Sequence, residues 1–168
     1  NTLAVHMGFG DAECAAAQDF WNSPTVARAP GLKAVDLFRA VHDGRIKALW
    51  VMATNPAVSM PDAGFVREAL AKCEFLAVSD MFADTDTARH ADVILPALGW
   101  GEKDGTVTNS ERVISRQRAL FPPPGEARAD WAIIADAARR MGFVDAFNYP
   151  TAASIFREYA AQTAVRHN

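Results

Sequence analysis

Short apolar runs alternate along this chain with segments in which apolar residues recur at helical spacing. Three runs, rich in Val, Ile, Leu and Trp, stop abruptly at polar or turn-forming residues. Such runs are typical of parallel strands that are buried on both faces. They predict strands at Ala48 to Ala53, Phe75 to Val78 and Asp92 to Leu95.

The segments around these strands predict helices. In chain order they are Asp11 to Trp21, Val35 to Asp43, Asp62 to Lys72 after a helix-starting Pro61, Ala129 to Met141 with Trp131, Ile134, Ala138 and Met141 on its apolar face, and Ala152 to Val165. About twenty residues separate the first two strands, which is more than the dozen that a parallel crossover needs. The pattern therefore predicts an α/β fold, with a mostly parallel sheet flanked by helices in three layers and with right-handed crossovers.

A further pair of apolar segments predicts a hairpin rather than another crossover. Thr106 to Asn109 and Val113 to Gln117 flank the polar turn Ser110-Glu111-Arg112. We expect this hairpin to pair at an edge of the sheet. After it, the proline run that ends at Gly125 indicates a stiff surface connection.

Composition and charge limit the classes of function. Half of the 168 residues are hydrophobic, which predicts one domain over residues 1–168. A net charge of −3 gives no broad attraction to nucleic acid or anionic lipid, and no apolar run is long enough to span a bilayer, so we expect neither partner. Cys14 and Cys73 form no CxxC pair, so they predict neither an iron–sulfur cluster nor a zinc site. The first residue is Asn1, which suggests a fragment.

Polar side chains follow the predicted strands at the edge of the sheet where open α/β folds bind ligands. Asn55 follows the first strand, and Ser79 and Asp80 follow the second. The carboxylate of Asp80 is suited to accept two hydrogen bonds from a ribose or a guanine edge, or to cap the next turn. The residues alone leave both interpretations open.

For two further charged residues, the residues alone favour an ordinary structural role over ligand binding. Lys103, between Gly101 and Gly105, is able to reach a phosphate or a heterocyclic carbonyl, or is an ordinary exposed loop lysine. Asp130 stands at a predicted helix start, where a capping role is the simple explanation. The chain has no GxGxxG, P-loop, HExxH or GxSxG motif, and nothing in it supplies a nucleophile or a redox centre.

Several of these segments together resemble a known family. They are Gly44-Arg-Ile-Lys-Ala-Leu-Trp-Val-Met-Ala-Thr-Asn-Pro, Ser79-Asp80, Thr85-Asp-Thr-Ala-Arg-His-Ala-Asp-Val-Ile-Leu-Pro96 and Gly101-Glu-Lys-Asp-Gly-Thr-Val-Thr-Asn-Ser-Glu-Arg112. The chain resembles the molybdopterin oxidoreductases over nearly all its length, and within them the catalytic subunits of bacterial assimilatory nitrate reductases. The resemblance implies an internal Rossmann-like domain of a larger cytoplasmic enzyme, and an isolated copy is expected to be inactive.

The resemblance also implies a cofactor and the residues that bind it. The parent enzyme is expected to carry a Mo-bis(molybdopterin guanine dinucleotide) cofactor and a [4Fe–4S] cluster, the latter outside this fragment. The contacts to the guanine dinucleotide are expected from Asn55, Ser79, Asp80, Lys103 and Asp130, with no catalytic or metal-binding residue in the chain. The expected partners are the remaining domains of the parent enzyme and an electron-donor protein or subunit.

Three alternatives stay beside this hypothesis. In the first, the parent enzyme is another molybdopterin oxidoreductase, such as a formate dehydrogenase. In the second, the chain is a non-catalytic scaffold homologue. The polar set at the strand ends disfavours a scaffold, which has no need of it. An autonomous nucleotide-binding enzyme is disfavoured by the missing glycine fingerprint.

Overall fold

The computed structural model describes residues 9–164, and helices and strands alternate along them as the sequence pattern predicts. In chain order the elements are α1 (Asp11–Trp21), α2 (Ala34–His42), β1 (Ala48–Met52), α3 (Pro56–Ser59), α4 (Ala63–Lys72), β2 (Phe75–Asp80), β3 (Val93–Pro96), β4 (Gly105–Thr108), β5 (Ile114–Gln117), α5 (Asp130–Arg140) and α6 (Ala152–Ala164). Single 3₁₀ turns lie at Ala88–His90 and Trp100–Glu102.

The chain divides into two compact units, and each is described by itself. The sheet unit is Leu32–Ala137, and the terminal unit combines Asn1–Gly31 with Ala138–Asn168. The prediction of one domain over residues 1–168 stays a prediction. Val165, the predicted end of the last helix, lies outside the described residues.

A parallel sheet with strand order β1-β2-β3 forms the centre of the sheet unit. Val51, Val78 and Ile94 lie opposite one another in register, so they share one face. On that face, β1 and β2 pack with α2 and α4 in one apolar cluster whose buried members include Phe38, Val41, Val51, Val66, Leu70, Leu76 and Val78. Full burial of each large aliphatic side chain contributes about 1.5–3 kcal/mol. The predicted α/β fold, a mostly parallel sheet flanked by helices, is confirmed.

The strands differ from their predicted bounds at their carboxyl ends. β2 continues through Ser79 and Asp80, which pair in register with Leu95 and Pro96 of β3. The prediction that both residues lie past the strand was wrong, because parallel pairing with β3 accommodates polar residues that a hydrophobicity pattern excludes. β1 ends at Met52, since Ala53 turns the chain with a φ of 53°.

The proline predicted to start the third helical segment was also wrong. Pro56 rather than Pro61 occupies the first turn of a helix, the short α3. The N-cap of α4 is Asp62, whose side chain accepts a hydrogen bond from the Phe65 N–H at 3.2 Å. A polar residue with a capping side chain therefore starts this helix, instead of a proline.

The apolar face predicted for the helix after Ala129 was wrong. In α5 the structure buries Ile133 and Ala135, while Met141, just past the helix, is 75% exposed. Alanines lie on several sides of α5, so more than one set of apolar residues recurs at helical spacing. The sequence therefore does not decide which of these faces is buried.

The predicted hairpin is present, but its location in the sheet is not as predicted. β4 and β5 pair antiparallel as a separate two-stranded sheet, rather than at an edge of the parallel one. Arg112 has a φ of 63° in the turn, where Asn109 Oδ1 accepts a hydrogen bond from the Val113 N–H at 3.0 Å. Among the helices of residues 9–164, none combines the length and apolarity that a membrane crossing needs.

Candidate functional site

A pocket of about 310 Å³ lies at the carboxyl edge of the parallel sheet. The segments after the three strands form its wall: Ala53, Thr54 and Asn55 after β1, Met81, Phe82 and Thr85 after β2, and Ala97, Leu98 and Lys103 after β3, completed by Asp80 and Asp130. The pocket therefore lies where the topology of an open α/β sheet places ligands.

The structure brings four of the five predicted site residues together in this wall: Asn55, Asp80, Lys103 and Asp130. Ser79 is not among them. It is fully buried in β2, and its Oγ accepts a hydrogen bond from Trp50 Nε1 at 2.8 Å. The side chain of Ser79 thus has a structural partner, and its contact with a cofactor stays a prediction.

Lys103 and Asp130 form an ion pair inside the wall. Lys103 Nζ lies 2.7 Å from Asp130 Oδ2, and the two side chains are 31% and 30% exposed. The other oxygen, Asp130 Oδ1, is buried and accepts no hydrogen bond within residues 9–164. A buried acceptor without a donor costs about 1–3 kcal/mol, so Asp130, which lines the pocket, has one carboxylate oxygen with unused hydrogen-bonding capacity.

Backbone contacts hold the segment before α5 against the end of β3. The Arg128 N–H donates to the Pro96 carbonyl at 2.9 Å, and the Leu98 N–H donates to the Arg128 carbonyl at 3.0 Å. These bonds bring Asp130 to the sheet edge from a distant part of the sequence. Its place in the pocket is therefore a product of tertiary structure.

The structure shows Asp80 in the capping role, one of the two that the sequence left open, and its contact with a ligand stays a prediction. Its Oδ1 accepts a hydrogen bond from the Phe82 N–H at 3.2 Å, which caps the turn after β2. Its Oδ2 accepts no hydrogen bond from the described residues and is available to a ligand. One oxygen of this carboxylate thus stabilises the loop, and the other keeps its capacity to accept hydrogen bonds in a residue that lines the pocket.

Asn55 is fixed by a residue that the sequence did not single out as part of the site. Its Oδ1 accepts hydrogen bonds from the backbone N–H of Thr87 at 3.1 Å and from Thr87 Oγ1 at 2.7 Å. Thr87 is fully buried. The signal for Thr87 in the sequence is the polar run Asp84-Thr85-Asp86-Thr87, whose hydroxyl and carboxylate side chains are suited to cap a turn.

Ala53 shows backbone strain in the same wall. It has a φ of 53°, although it is not glycine, and its N–H donates to the Ser79 carbonyl at 2.9 Å. A left-handed conformation costs an L-residue about 1–2 kcal/mol. This turn directs Thr54 and Asn55 from the end of β1 into the wall of the pocket.

The charges of the pocket favour a ligand rich in hydrogen-bond donors. Its wall carries two carboxylates and one ammonium group, and that ammonium is already paired. Ribose hydroxyls and the N–H groups of a base match free carboxylate oxygens, whereas a phosphate is repelled by them. Across residues 9–164, no cluster of three His, Cys, Asp or Glu side chains is arranged to hold a metal ion.

Comparison with known protein families shows which family this chain belongs to. The sequence profile of the family described as Molybdopterin oxidoreductase matches residues 4–140. This chain belongs to the molybdopterin oxidoreductase family. The resemblance drawn from its motifs is thereby confirmed.

Individual relatives of this molybdopterin oxidoreductase domain agree with the profile. The chain is 54% identical over 159 residues to a nitrate reductase of Klebsiella oxytoca, covering 95% of this chain and 18% of the relative. It is 50% identical over 113 residues to the F420-dependent formate dehydrogenase subunit alpha of Methanocaldococcus jannaschii, covering 67% and 17%. The chain therefore spans less than a fifth of the length of these relatives.

A solved structure supports the fold. Acetylene hydratase from Pelobacter acetylenicus matches with a TM-score of 0.65 at 23% identity, over 77% of this chain and 18% of that chain. Family membership implies a molybdenum–pterin cofactor. The unpaired Asp130 Oδ1 and the available Asp80 Oδ2 fit the donor groups of a nucleotide portion of such a cofactor.

Proposed function

We propose that this domain binds the guanine nucleotide end of a Mo-bis(molybdopterin guanine dinucleotide) cofactor, and that its parent enzyme reduces nitrate to nitrite. The observation that carries the proposal is the pocket at the carboxyl edge of the sheet, where Asn55, Asp80, Lys103 and Asp130 meet and Asp130 keeps one oxygen without a donor. The identity of 54% with a nitrate reductase over 95% of the chain supports the substrate.

Each wall residue has a role that follows from its contacts. Asp80 Oδ2 and Asp130 Oδ1 accept hydrogen bonds from ribose hydroxyls or guanine N–H groups. Lys103 holds the carboxylate of Asp130 in place through the 2.7 Å ion pair. Since the net charge of the wall is negative, we assign the nucleoside to this pocket and the phosphates to another surface.

The chain's own part is to bind and orient the cofactor. When bound, the cofactor supplies the two-electron chemistry of its molybdenum, and the oxygen lost by nitrate leaves as water. The [4Fe–4S] cluster, the electron donor, the remaining domains, the cytoplasmic location and a role in nitrate assimilation belong to the proposal for the parent enzyme.

A formate dehydrogenase is the second candidate for the parent enzyme. The identity of 50% with an F420-dependent formate dehydrogenase subunit favours it, although that match covers 67% of the chain. The purified parent enzyme, assayed with an artificial electron donor or acceptor, is expected to reduce nitrate and not to oxidise formate. The reverse result rejects nitrate as the substrate.

The nucleotide-binding role is tested by Asp80→Ala in the full-length parent protein. Loss of a charge-assisted hydrogen bond costs about 1.5–3 kcal/mol, which lowers affinity for the cofactor about tenfold to a hundredfold. We expect less guanine and less molybdenum per mole of purified protein, measured by chromatography after denaturation and by elemental analysis.

Asp84→Ala is the matched control for this experiment. Asp84 lies four residues along the same loop, outside the pocket wall, and its 84% exposed side chain pairs with Arg89 at 2.7 Å. We expect wild-type cofactor content in this variant. Wild-type guanine and molybdenum content in Asp80→Ala itself would contradict the proposal.

A further inference from the structure

We propose that Thr87 is a positioning residue that fixes the side-chain amide of Asn55, so that Asn55 turns its Nδ2 donor toward the pocket. The ligand atom that faces Asn55 is then a hydrogen-bond acceptor. The inference rests on the proposed nucleotide site, and it adds a residue outside the pocket wall that sets what the wall recognises.

The contacts define which end of the Asn55 amide faces Thr87. The backbone N–H of Thr87 lies 3.1 Å from that end, and Thr87 Oγ1 lies 2.7 Å from it. A backbone N–H only donates, so its partner is the amide oxygen and not the amide nitrogen. The orientation of Asn55 follows from the chemistry of its neighbour.

The direction of the second hydrogen bond is fixed in the same way. The backbone N–H of Ala57 donates to Thr87 Oγ1 at 3.1 Å. Since Oγ1 accepts there, its own proton is free to point at Asn55 Oδ1. A directed series of bonds thus runs from Ala57 through Thr87 to Asn55, and each donor has its acceptor.

Burial makes this orientation rigid. Thr87 is fully buried, so no water replaces Asn55 if the amide rotates. Rotation by half a turn places the Nδ2 protons against two donors and leaves both without an acceptor. Thr87 therefore acts on the pocket through Asn55, because Asn55 belongs to the wall and Thr87 does not.

The consequence is a defined pattern of donors and acceptors. Asn55 Oδ1 is used internally, and its Nδ2 donates no hydrogen bond within the described part of the chain. Asp80 Oδ2 and Asp130 Oδ1 accept. A guanine nucleotide offers both kinds of group, with carbonyl and ring-nitrogen acceptors beside N–H and O–H donors.

The first test is Asn55→Asp in the full-length parent protein, freed of cofactor and titrated with GDP by calorimetry. Aspartate keeps an acceptor for both Thr87 donors but replaces the Nδ2 donor by a second acceptor. We expect thermal unfolding close to that of the wild type and a GDP dissociation constant raised about tenfold or more, because two acceptors then meet. Unchanged GDP affinity in Asn55→Asp overturns the inference.

The outcome is separable from that of the proposed function. If Asp80→Ala loses GDP while Asn55→Asp retains it, the nucleotide site stands and the role of Asn55 and Thr87 falls. If both variants bind GDP as the wild type does, the nucleotide site falls as well.

The second test removes the hydroxyl of Thr87 and asks whether the effect passes through Asn55. Thr87→Val is expected to weaken GDP binding about fivefold. Thr87→Ser, which keeps the hydroxyl, is expected to bind GDP with the affinity of the wild type. In an Asn55→Asp background, Thr87→Val should have no further effect on GDP affinity, since no donor remains to be oriented. An equal loss in both backgrounds identifies Thr87 as a merely structural residue and overturns the inference.

Discussion

The two compact units of this chain are stabilised in different ways. The sheet unit has a continuous apolar cluster around Leu76 and Val78 of the central strand. In the terminal unit, directed hydrogen bonds converge on one carboxylate, that of Glu158 in α6. Apolar burial is non-directional and grows with area, whereas each hydrogen bond depends on its two partners.

The contacts of Glu158 connect three segments of the terminal unit. Glu158 Oε1 accepts from Trp21 Nε1 of α1 at 2.9 Å, and the Tyr149 hydroxyl lies 3.0 and 2.9 Å from the two carboxylate oxygens. Phe147 packs edge-on against Tyr149, with ring centroids 6.2 Å apart. Removing one carboxylate therefore affects contacts across 137 residues of sequence.

The difference explains where the candidate site lies. An unpaired Asp130 Oδ1 and a left-handed Ala53 both cost stability, and both occur at the edge of the unit with the apolar cluster. Strained and unsatisfied groups persist where the surrounding structure is stable enough to hold them. A pocket built from such groups is better supported by a packed sheet than by a few hydrogen bonds.

The largest effect is expected for Leu76→Ala in the sheet unit. Leu76 is fully buried in the central strand, and its truncation leaves a cavity that destabilises the fold by about 2–5 kcal/mol. Urea unfolding followed by circular dichroism measures the change. Leu120→Ala is the matched control, because Leu120 is 78% exposed, and a change within about 0.5 kcal/mol is expected there. Equal effects in the two variants would contradict the importance of the apolar cluster.

A smaller effect is expected for Glu158→Ala in the terminal unit. The variant leaves Trp21 Nε1 and the Tyr149 hydroxyl without their acceptor. Because water reaches part of this site, we expect a loss of about 1–2 kcal/mol, measured by urea unfolding with tryptophan fluorescence. Glu126→Ala, at an exposed glutamate of the sheet unit, serves as the control. A loss in Glu158→Ala no greater than in this control would show that the hydrogen bonds contribute nothing measurable.

Features that come from apolar burial were predictable from the sequence, whereas features that come from specific polar contacts were not. The strands and most helices were predictable because Val, Ile and Leu in short runs, and apolar residues at helical spacing, reflect burial directly. The strand end at Ser79 and Asp80 was not, since polar residues continue a strand only when tertiary pairing supports them. The buried face of α5 was ambiguous for a similar reason, because several alanines fit more than one stripe.

Four of the five residues predicted for the candidate site lie in the pocket wall, but their contacts were not predictable. Topology alone indicated that Asn55 and Asp80 meet at the carboxyl edge of the sheet. The ion pair of Lys103 with Asp130 and the bonds of Thr87 to Asn55 join residues 27 and 32 positions apart in sequence. No local spacing encodes such pairs, and neither does any local pattern encode the bonds of Glu158 to Trp21 and Tyr149.

The smallest expected effect is on the pH dependence of the stability of the terminal unit. Burial, followed by the hydrogen bond and the charge of Glu158, raises the pKa of Tyr149 from its ordinary value of 10.0 to about 12. The protonated phenol is therefore favoured in the folded state. Its contribution is fully present below pH 10 and is lost as the pH rises from about 10 toward about 12.

Tyr149→Phe should remove this part of the alkaline decline in stability. Because the site is partly open to water, we expect the contribution to be below about 1 kcal/mol. Urea midpoints measured between pH 9 and pH 12 on both the wild type and the variant give its size. Tyr159, the second of the two tyrosines, is 52% exposed, and Tyr159→Phe should keep the decline of the wild type. Comparing the two variants cancels the contributions of the groups that they share, so identical profiles would show that folding does not raise the pKa of Tyr149.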